Sequence, residues 1–517
     1  MKPSLPRVLV EGWAAGRIGD LLALVAGAML PLAFAPYHLF PLAVISPALL
    51  FAGWLPSTPR QAFRRGGLYG IGMFGVGVSW IFVSIHEFGS ASVPLAVLLT
   101  SLFVVTLALF PALLGYLSML LLARLRRHRG ALTPALLVVL PALWTLFEWW
   151  RGWFLSGFPW LNLGTSQIGT PLAGLAPLLG EYGVSWAAVL SAGLVVMAGL
   201  RPRRAGRYMM LLVVLWGGAW LLGQVEWTRP KGAPLEVALL QGNVPQEIKW
   251  LPEQLGPNLE LYSSLTAKHW DSDLVVWPET AITAFYYQLK DGFVRALQQA
   301  AEEHGTDLLV GIPVTDPETG NYYNAVMSVG SSPGFYRKHH LVPFGDYVPF
   351  EEELRGLIAF FDLPMSSFSP GAARQPMLRA AGHPVGVSIC YEDAFGSEVI
   401  RTLPEAELLV NVSNDAWWGD SLGPHQHLQV ASMRALETGR PLLRATNTGI
   451  TALVDHHGHI RATAPQFEVA VLTGVVQPRE GATPYVRWGN LPIVVLLATM
   501  LAALFLRYAV SSHEGIG

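Results

Sequence analysis

HPVGVSICYED, residues 383–393, decides how the second half of the chain folds. Its apolar run is far shorter than the roughly 20 residues of a membrane span, and it ends on a cysteine followed by two carboxylates. Buried strands of an α/β layer look like this, with a functional group at the last position of a short apolar run. Four more stretches repeat the pattern: LEVALLQGNV (235–244), DLVVWPE (273–279), TDLLVGIPV (306–314) and ELLVNVSND (407–415). Residues 285–304 and 424–440 carry helical spacing instead. Strands interleaved with helices over about 250 residues predict one α/β sandwich with a sizeable core. No internal repeat or low-complexity linker interrupts it.

Outside this region the composition changes. Of 517 residues, 52% are hydrophobic and 14% charged, against about 25% charged in a soluble globular chain. This argues against a soluble multidomain enzyme and excludes a disordered chain. The net charge of -2 averages two unlike parts: residues 1–227 carry 15 Lys/Arg and 6 Asp/Glu, whereas 228–485 carry 17 and 29. No basic stripe with interleaved aromatics occurs, so nucleic acid is not an expected partner.

Apolar stretches lie near 21–36, 38–55, 67–85, 91–123, 131–147, 182–200, 208–224 and 488–506. The uncharged run 91–123 reads as one long helix, tilted or kinked at Pro111. Splitting it would move Arg124, Arg126, Arg127 and Arg129 away from the side shared by Lys2, Arg7, Arg17, Arg60, Arg64, Arg65 and Arg201 to Arg207. The expectation is an α-helical polytopic membrane domain of about eight transmembrane helices with both termini cytoplasmic. Parity then places 225–487 on the outer side. The expected boundaries are 1–227 for seven helices, 228–485 for the outer domain, and 486–517 for the last helix and tail. The uncharged, Gly/Pro/Trp-rich stretch 152–180 reads as interfacial or re-entrant. Glu148, Arg151 and Glu181 flank it, and helix-end snorkelling competes with a functional role for them.

Three strand ends carry candidate chemistry. Cys390 is the sole cysteine, which excludes intramolecular disulfides and cysteine-based zinc sites. It is either a small buried hydrophobe or a nucleophile on a sharp strand-to-helix turn. Glu279, after VVWP, is either a turn cap or a base in a dry pocket, where burial suits it to accept a thiol proton. Lys338, in FYRKHHLVPFGDYVPF, is either a snorkelling surface residue or an ammonium for a developing oxyanion. The run DHHGHI (455–460) reads as a hairpin turn rather than a metal site. His339, His340, His425 and His427 read as surface or structural. Without HExxH or a carboxylate cluster at ligand spacing, no metal and no cofactor are expected. No GxSxG occurs.

Taken together, the order Glu279, Lys338, Cys390 resembles the nitrilase (carbon–nitrogen hydrolase) superfamily, which implies a Glu-Lys-Cys triad on an αββα sandwich. A nitrilase-like domain inserted before the last of eight spans is similar to the apolipoprotein N-acyltransferase family of bacterial inner membranes. The resemblance runs over essentially the whole chain. It is most specific in QGNVPQEIKW (241–250), VVWPET (275–280), RKHHLVPFGDYVPF (337–350), CYED (390–393) and NVSNDAWWG…RALETGRPLLRATNTG (411–449). It implies Glu279 as general base, Lys338 as oxyanion stabiliser and Cys390 as nucleophile, with Trp250, Tyr391 and Glu392 needed for activity. Where the family has Glu in PFGE, this chain has Asp346 in PFGD. The carboxylate is one methylene shorter, so contact with Lys338 is expected through a shifted backbone or a water.

The resemblance further implies an acyl donor, a membrane phospholipid such as phosphatidylethanolamine. The implied acceptor is the α-amine of an S-diacylglyceryl-cysteine lipoprotein, reached through a Cys390 thioester in a periplasmic domain. Nothing demands more than a monomer. Two other readings stand beside this one: a membrane-tethered amidase that hydrolyses a small amide, and a transporter or structural membrane protein without catalysis. Eight spans exceed what tethering needs. The intact Glu279, Lys338 and Cys390, and spans without charged midplane residues, argue against the second.

Overall fold

The computed structural model describes residues 16–125, 132–349 and 367–513. The chain divides into two compact units: Met1–Ser79 with Pro94–Val225 and Trp488–Gly517, and Trp80–Val93 with Glu226–Arg487.

The first unit is helical. Among the described residues five helices are long and apolar enough to cross a bilayer: Gly16–Ala33, Val93–Leu125, Leu132–Arg151, Pro171–Leu200 and Pro202–Leu222. Pro59–Gly77 and Trp80–Phe88 make a sixth if counted together, although they are bent by 56°. Leu42–Trp54 is apolar but only 13 residues long, and Leu491–Arg507 is the apolar part of the 23-residue helix Leu491–His513, a length that can span hydrocarbon. The 33 residues Val93–Leu125 form one helix with Pro111 inside it. Lys2, Arg7, Arg126, Arg127 and Arg129, used above to orient the helices, lie outside the described residues.

Glu148, Arg151 and Glu181 do not snorkel; all three are buried. They hold the non-helical stretch after Arg151, whose backbone polar groups need partners in an apolar setting. Arg151 donates to the carbonyls of Phe158 (2.6 Å) and Trp160 (2.5 Å) and to Asn162 Oδ1 (2.7 Å). Glu148 Oε1 accepts from Leu163 N at 3.0 Å and Glu181 Oε1 from the Thr165 hydroxyl at 2.5 Å.

The second unit is an αββα sandwich. A short ribbon pairs β1 (Thr228–Pro230) with β14 (Arg479–Gly481). One six-stranded sheet contains β2 (Leu235–Gln241), β3 (Leu274–Val276), β4 (Asp307–Thr315), β5 (Tyr322–Val329), β6 (Gly334–Arg337) and β13 (Ala470–Val476), in the order β13-β2-β3-β4-β5-β6. The other contains β7 (Leu378–Ala380), β8 (His383–Ile389), β9 (Leu408–Ser413), β10 (Leu442–Thr446), β11 (Ala452–Val454) and β12 (Ile460–Thr463), in the order β12-β11-β10-β9-β8-β7. In each sheet the three central strands are parallel. Five of these six are the short apolar runs of the sequence, whose two faces are both covered; the sixth, β10, carries Arg444 and was not among them.

Side-chain alternation sorts the two faces. Leu308, Val310, Ile312 and Val314 of β4 pack with Leu297 and Ala301 of the helix Arg295–His304, which leaves Leu309 and Gly311 on the opposite face. In the second sheet Leu409, Leu442 and Ala452 pack on Leu428, Ala431 and Ala435 of the helix Leu422–Thr438. Polar bonds join the sheets: Thr451 Oγ1 donates to Gln241 Oε1 at 2.8 Å, and Ser328 Oγ to Arg379 O at 3.1 Å.

Trp80–Val93, part of an apolar run in the sequence, groups with the sandwich. The Trp80 indole donates to Gln426 Oε1 at 3.2 Å and lies tilted against Trp418, 4.8 Å between ring centroids, while Ser84 Oγ donates to Trp417 O at 2.8 Å. The apolar residues of this segment serve aromatic packing, which a hydropathy window does not separate from lipid exposure.

Candidate active site

Cys390 closes β8 and opens a 3-10 turn, Cys390–Ala394. Its φ of +51° is a left-handed conformation rare for a non-glycine residue; such strain concentrates at functional positions. The turn is held from β9, where Asn411 Nδ2 donates to Cys390 O (3.2 Å) and Ser388 Oγ (3.0 Å). Burial raises the thiol pKa well above its ordinary value, and the Glu279 charge adds to this. The Lys338 ammonium and a Ser413 hydrogen bond oppose it without cancelling it. The resting sulfur is therefore a thiol, and attack requires a base.

Glu279 sits just beyond β3. Trp277 N donates to Leu309 O at 2.8 Å and Ile282 N to Gly311 O at 3.1 Å, so the intervening turn lies flat on β4. Gly311 makes this approach possible: a Cβ there would stand 2.2 Å from Pro278 O and 2.9 Å from Glu279 Cα. The carboxylate is fixed by Asn324 of β5, whose Nδ2 donates to Oε1 at 2.7 Å.

Lys338 follows β6, its N–H donating to Asn324 O at 2.8 Å. Its Nζ is 3.5 Å from Glu279 Oε1 and 2.7 Å from Asp346 Oδ2. Burial alone would lower its pKa. Asp346, then Glu279, outweigh burial and hold it above the ordinary lysine value, so the amine stays an ammonium. Contact with Asp346 is direct, contrary to the water-mediated alternative. A tight turn holds Asp346 in place: Gly345 N (3.1 Å) and Asp346 N (2.9 Å) both bond Val342 O, and Val342 N donates to Asp346 Oδ2 at 2.8 Å.

Glu392 ties two backbones together. Its carboxylate accepts from Ile389 N (2.7 Å), His339 N (2.6 Å), His340 N (3.1 Å) and the Tyr336 hydroxyl (3.0 Å). The segment bearing Lys338 is thereby locked to the strand end bearing Cys390. Tyr391 is buried in an aromatic group with Phe395 and His340, at 5.1 and 5.9 Å between ring centroids. A proton acceptor, a fixed ammonium and a thiol can carry out acyl transfer through a covalent thioester.

Two family descriptions match the chain: the apolipoprotein N-acyltransferase N-terminal domain over residues 26–194 and carbon–nitrogen hydrolase over residues 236–485. An apolipoprotein N-acyltransferase of Methylococcus capsulatus is 48% identical over 498 residues, covering 96% of this chain and 98% of that protein. Those of Azotobacter vinelandii and Coxiella burnetii are 47% and 43% identical, covering 96% and 95% of this chain and 96% and 100% of their own lengths. The chain belongs to the apolipoprotein N-acyltransferase family.

Within this family member, Trp250 is the expected residue that stands apart. It is half-buried and makes no side-chain hydrogen bond, ion pair or ring contact among the described residues. Its neighbour Lys249, not singled out from sequence, is buried instead. Its Nζ donates to Glu279 O (3.1 Å) and Thr280 Oγ1 (2.8 Å), and burial lowers its pKa to about 8 against the opposing pull of Glu279. Asn324, Ser413 and Gly311 were equally unannounced: Asn324 and Gly311 lie inside strands and Ser413 ends β9. His427 is structural, as expected, and fully buried. Its Nε2 and Nδ1 each lie 3.0 Å from a carboxylate oxygen, of Asp393 and Asp415, and Arg444 contacts the same two carboxylates at 3.1 and 2.9 Å. Ser413 Oγ donates to Asp415 at 2.8 Å, linking this network to the thiol's hydrogen-bond partner.

Proposed function

We propose that this protein moves an acyl chain from a membrane phospholipid, phosphatidylethanolamine, to the α-amine of an S-diacylglyceryl-cysteine lipoprotein N-terminus. The observation that carries the reading is the buried ammonium of Lys338. It is held between Asp346 and Glu279, next to a cysteine in a strained turn, in a chain with several bilayer-length apolar helices. In the first step the Glu279 carboxylate takes the Cys390 proton as the sulfur attacks the ester carbonyl. Lys338 stabilises the oxyanion. The C–O bond breaks, and Glu279 returns the proton to the departing lysophospholipid alcohol. In the second step the lipoprotein amine attacks the thioester and the C–S bond breaks. The amine proton passes through Glu279 to the leaving sulfur. A thioester suits this exchange because a thiolate leaves readily before an amine.

The same reading places the protein in a bacterial inner membrane as a monomer of eight spans, with both termini cytoplasmic and residues 228–485 periplasmic. Two lipid substrates give a polytopic helical unit a purpose beyond anchoring. Intact-mass analysis after incubation with phospholipid alone tests the chemistry. The expected result is one acyl adduct per chain, absent from Cys390→Ser. Turnover of small amides without any adduct would support the tethered amidase and overturn this reading.

A further inference from the structure

The hairpin joining β11 and β12 carries Asp455-His456-His457-Gly458-His459. Asp455 organises it: Oδ1 accepts from His457 N and His459 N, both at 2.9 Å, and Gly458 N donates to Asp455 O at 2.9 Å. Gly458 turns the chain at φ +77°. The His456 and His457 rings consequently lie side by side, 4.0 Å between centroids. Both present Nε2 to Glu226, distant in sequence and at the beginning of this unit's main segment. His456 Nε2 is 3.3 Å from Oε2 and His457 Nε2 is 3.1 Å from Oε1. Arg479 Nη2 holds Glu226 Oε2 at 2.6 Å.

We propose that Glu226, His456 and His457 bind a divalent transition metal of the zinc class, with water completing the coordination. The three ligand atoms lie within 4.8 Å of one another. A tetrahedral ion with bonds of about 2.0–2.1 Å separates its ligands by roughly 3.3 Å, close to the carboxylate–imidazole spacings already present. His456 Nε2 is buried with no well-aligned hydrogen bond among the described residues, so coordination displaces nothing there. Two nitrogens and one oxygen select Zn²⁺, Co²⁺ or Ni²⁺ over Ca²⁺ and Mg²⁺, which take all-oxygen shells. Arg479 orients the carboxylate from outside while Oε1 faces the ion, and its charge limits the affinity. The bound ion would staple Glu226 to the β11–β12 hairpin, a role separate from acyl transfer.

The test titrates Zn²⁺ alone into full-length protein in detergent, stripped with chelator, against a chromogenic competitor. Every arm carries Cys390→Ser, which removes the thiol as a ligand. The expected result is one Zn²⁺ per chain, weakened at least about tenfold by His456→Ala, His457→Ala or Glu226→Gln. His459→Ala should leave binding unchanged, because its Nδ1 faces Asp455 at 3.6 Å instead. Zn²⁺ should also raise the Tm of the Cys390→Ser protein and not that of the added double histidine variant. Absence of Zn²⁺ binding, or binding that survives the double histidine substitution, would overturn the proposal and leave a histidine–carboxylate contact only.

Discussion

Gly311→Ala adds a single carbon, and its consequence can be worked out from the contacts around β4. That carbon would lie 2.2 Å from Pro278 O, 2.6 Å from Thr280 N and 2.9 Å from Glu279 Cα. Ordinary contact needs well over 3 Å, so the Glu279 turn must retreat by about 1 Å. All three obstructing atoms are backbone, and no side chain can swing aside. Glu279 would then lose its alignment with Asn324 Nδ2 (2.7 Å) and Lys338 Nζ (3.5 Å). A misplacement of this size costs roughly 10²-fold in rate, or about 2.7 kcal/mol in barrier height. The overpacking itself costs about 1–3 kcal/mol of stability. The rate of Cys390 acylation, followed by intact mass below the melting temperature, reads the first effect, and Tm reads the second. Gly292→Ala is the control, because no atom lies within 4 Å of its added carbon. Acylation by folded Gly311→Ala within threefold of the parent would refute the claim that this approach sets the position of the base.

Asp346→Asn removes the closest charge partner of Lys338 and should slow acylation by about 10–10²-fold. Asp346→Glu, with the carboxylate kept and a turn able to relax, should stay within about tenfold, as the same assay would read. Lys249 carries a positive charge beside Glu279 below about pH 8. Lys249→Met removes the donor that holds Glu279 O (3.1 Å) and Thr280 Oγ1 (2.8 Å) and should slow acylation by about tenfold in the same assay; an unchanged rate would contradict this positioning role. Glu392→Gln should turn a donor toward Ile389 N, where the carboxylate now accepts at 2.7 Å. Thermal melts should show about 1–3 kcal/mol of destabilisation, and Tyr336→Phe, which removes one donor, should show less.

Much of the sandwich was legible because its central strands are buried on both faces, and continuous apolar runs have few other soluble uses. Glu279, Lys338 and Cys390 each had a structural alternative at the end of a run, and it was their order along the chain, through its resemblance to the nitrilase superfamily, that singled them out. The details that fix them were not. Asn324 sits inside an apolar strand and Ser413 at the end of one, Lys249 looks like a surface lysine, and Gly311 looks like any small strand residue. Their meaning depends on what faces them across a gap of a few ångströms. The bend at Trp80 was hidden for the same reason, since hydropathy does not say whether lipid or protein covers an aromatic ring.

The sequence by itself determined that the chain has two chemically unlike parts, that one is helical and apolar, and that a thiol, an amine and a carboxylate end strands of the other. Local hydrophobic pattern is sufficient for that, because it reports which faces must avoid water. Only the tertiary structure decided that Asp346 reaches Lys338 directly, that Glu392 clamps one backbone to another, and that Glu226 meets His456 and His457. Each of these joins backbone or side-chain groups whose distance is set by packing, and packing leaves no periodic trace in the chain.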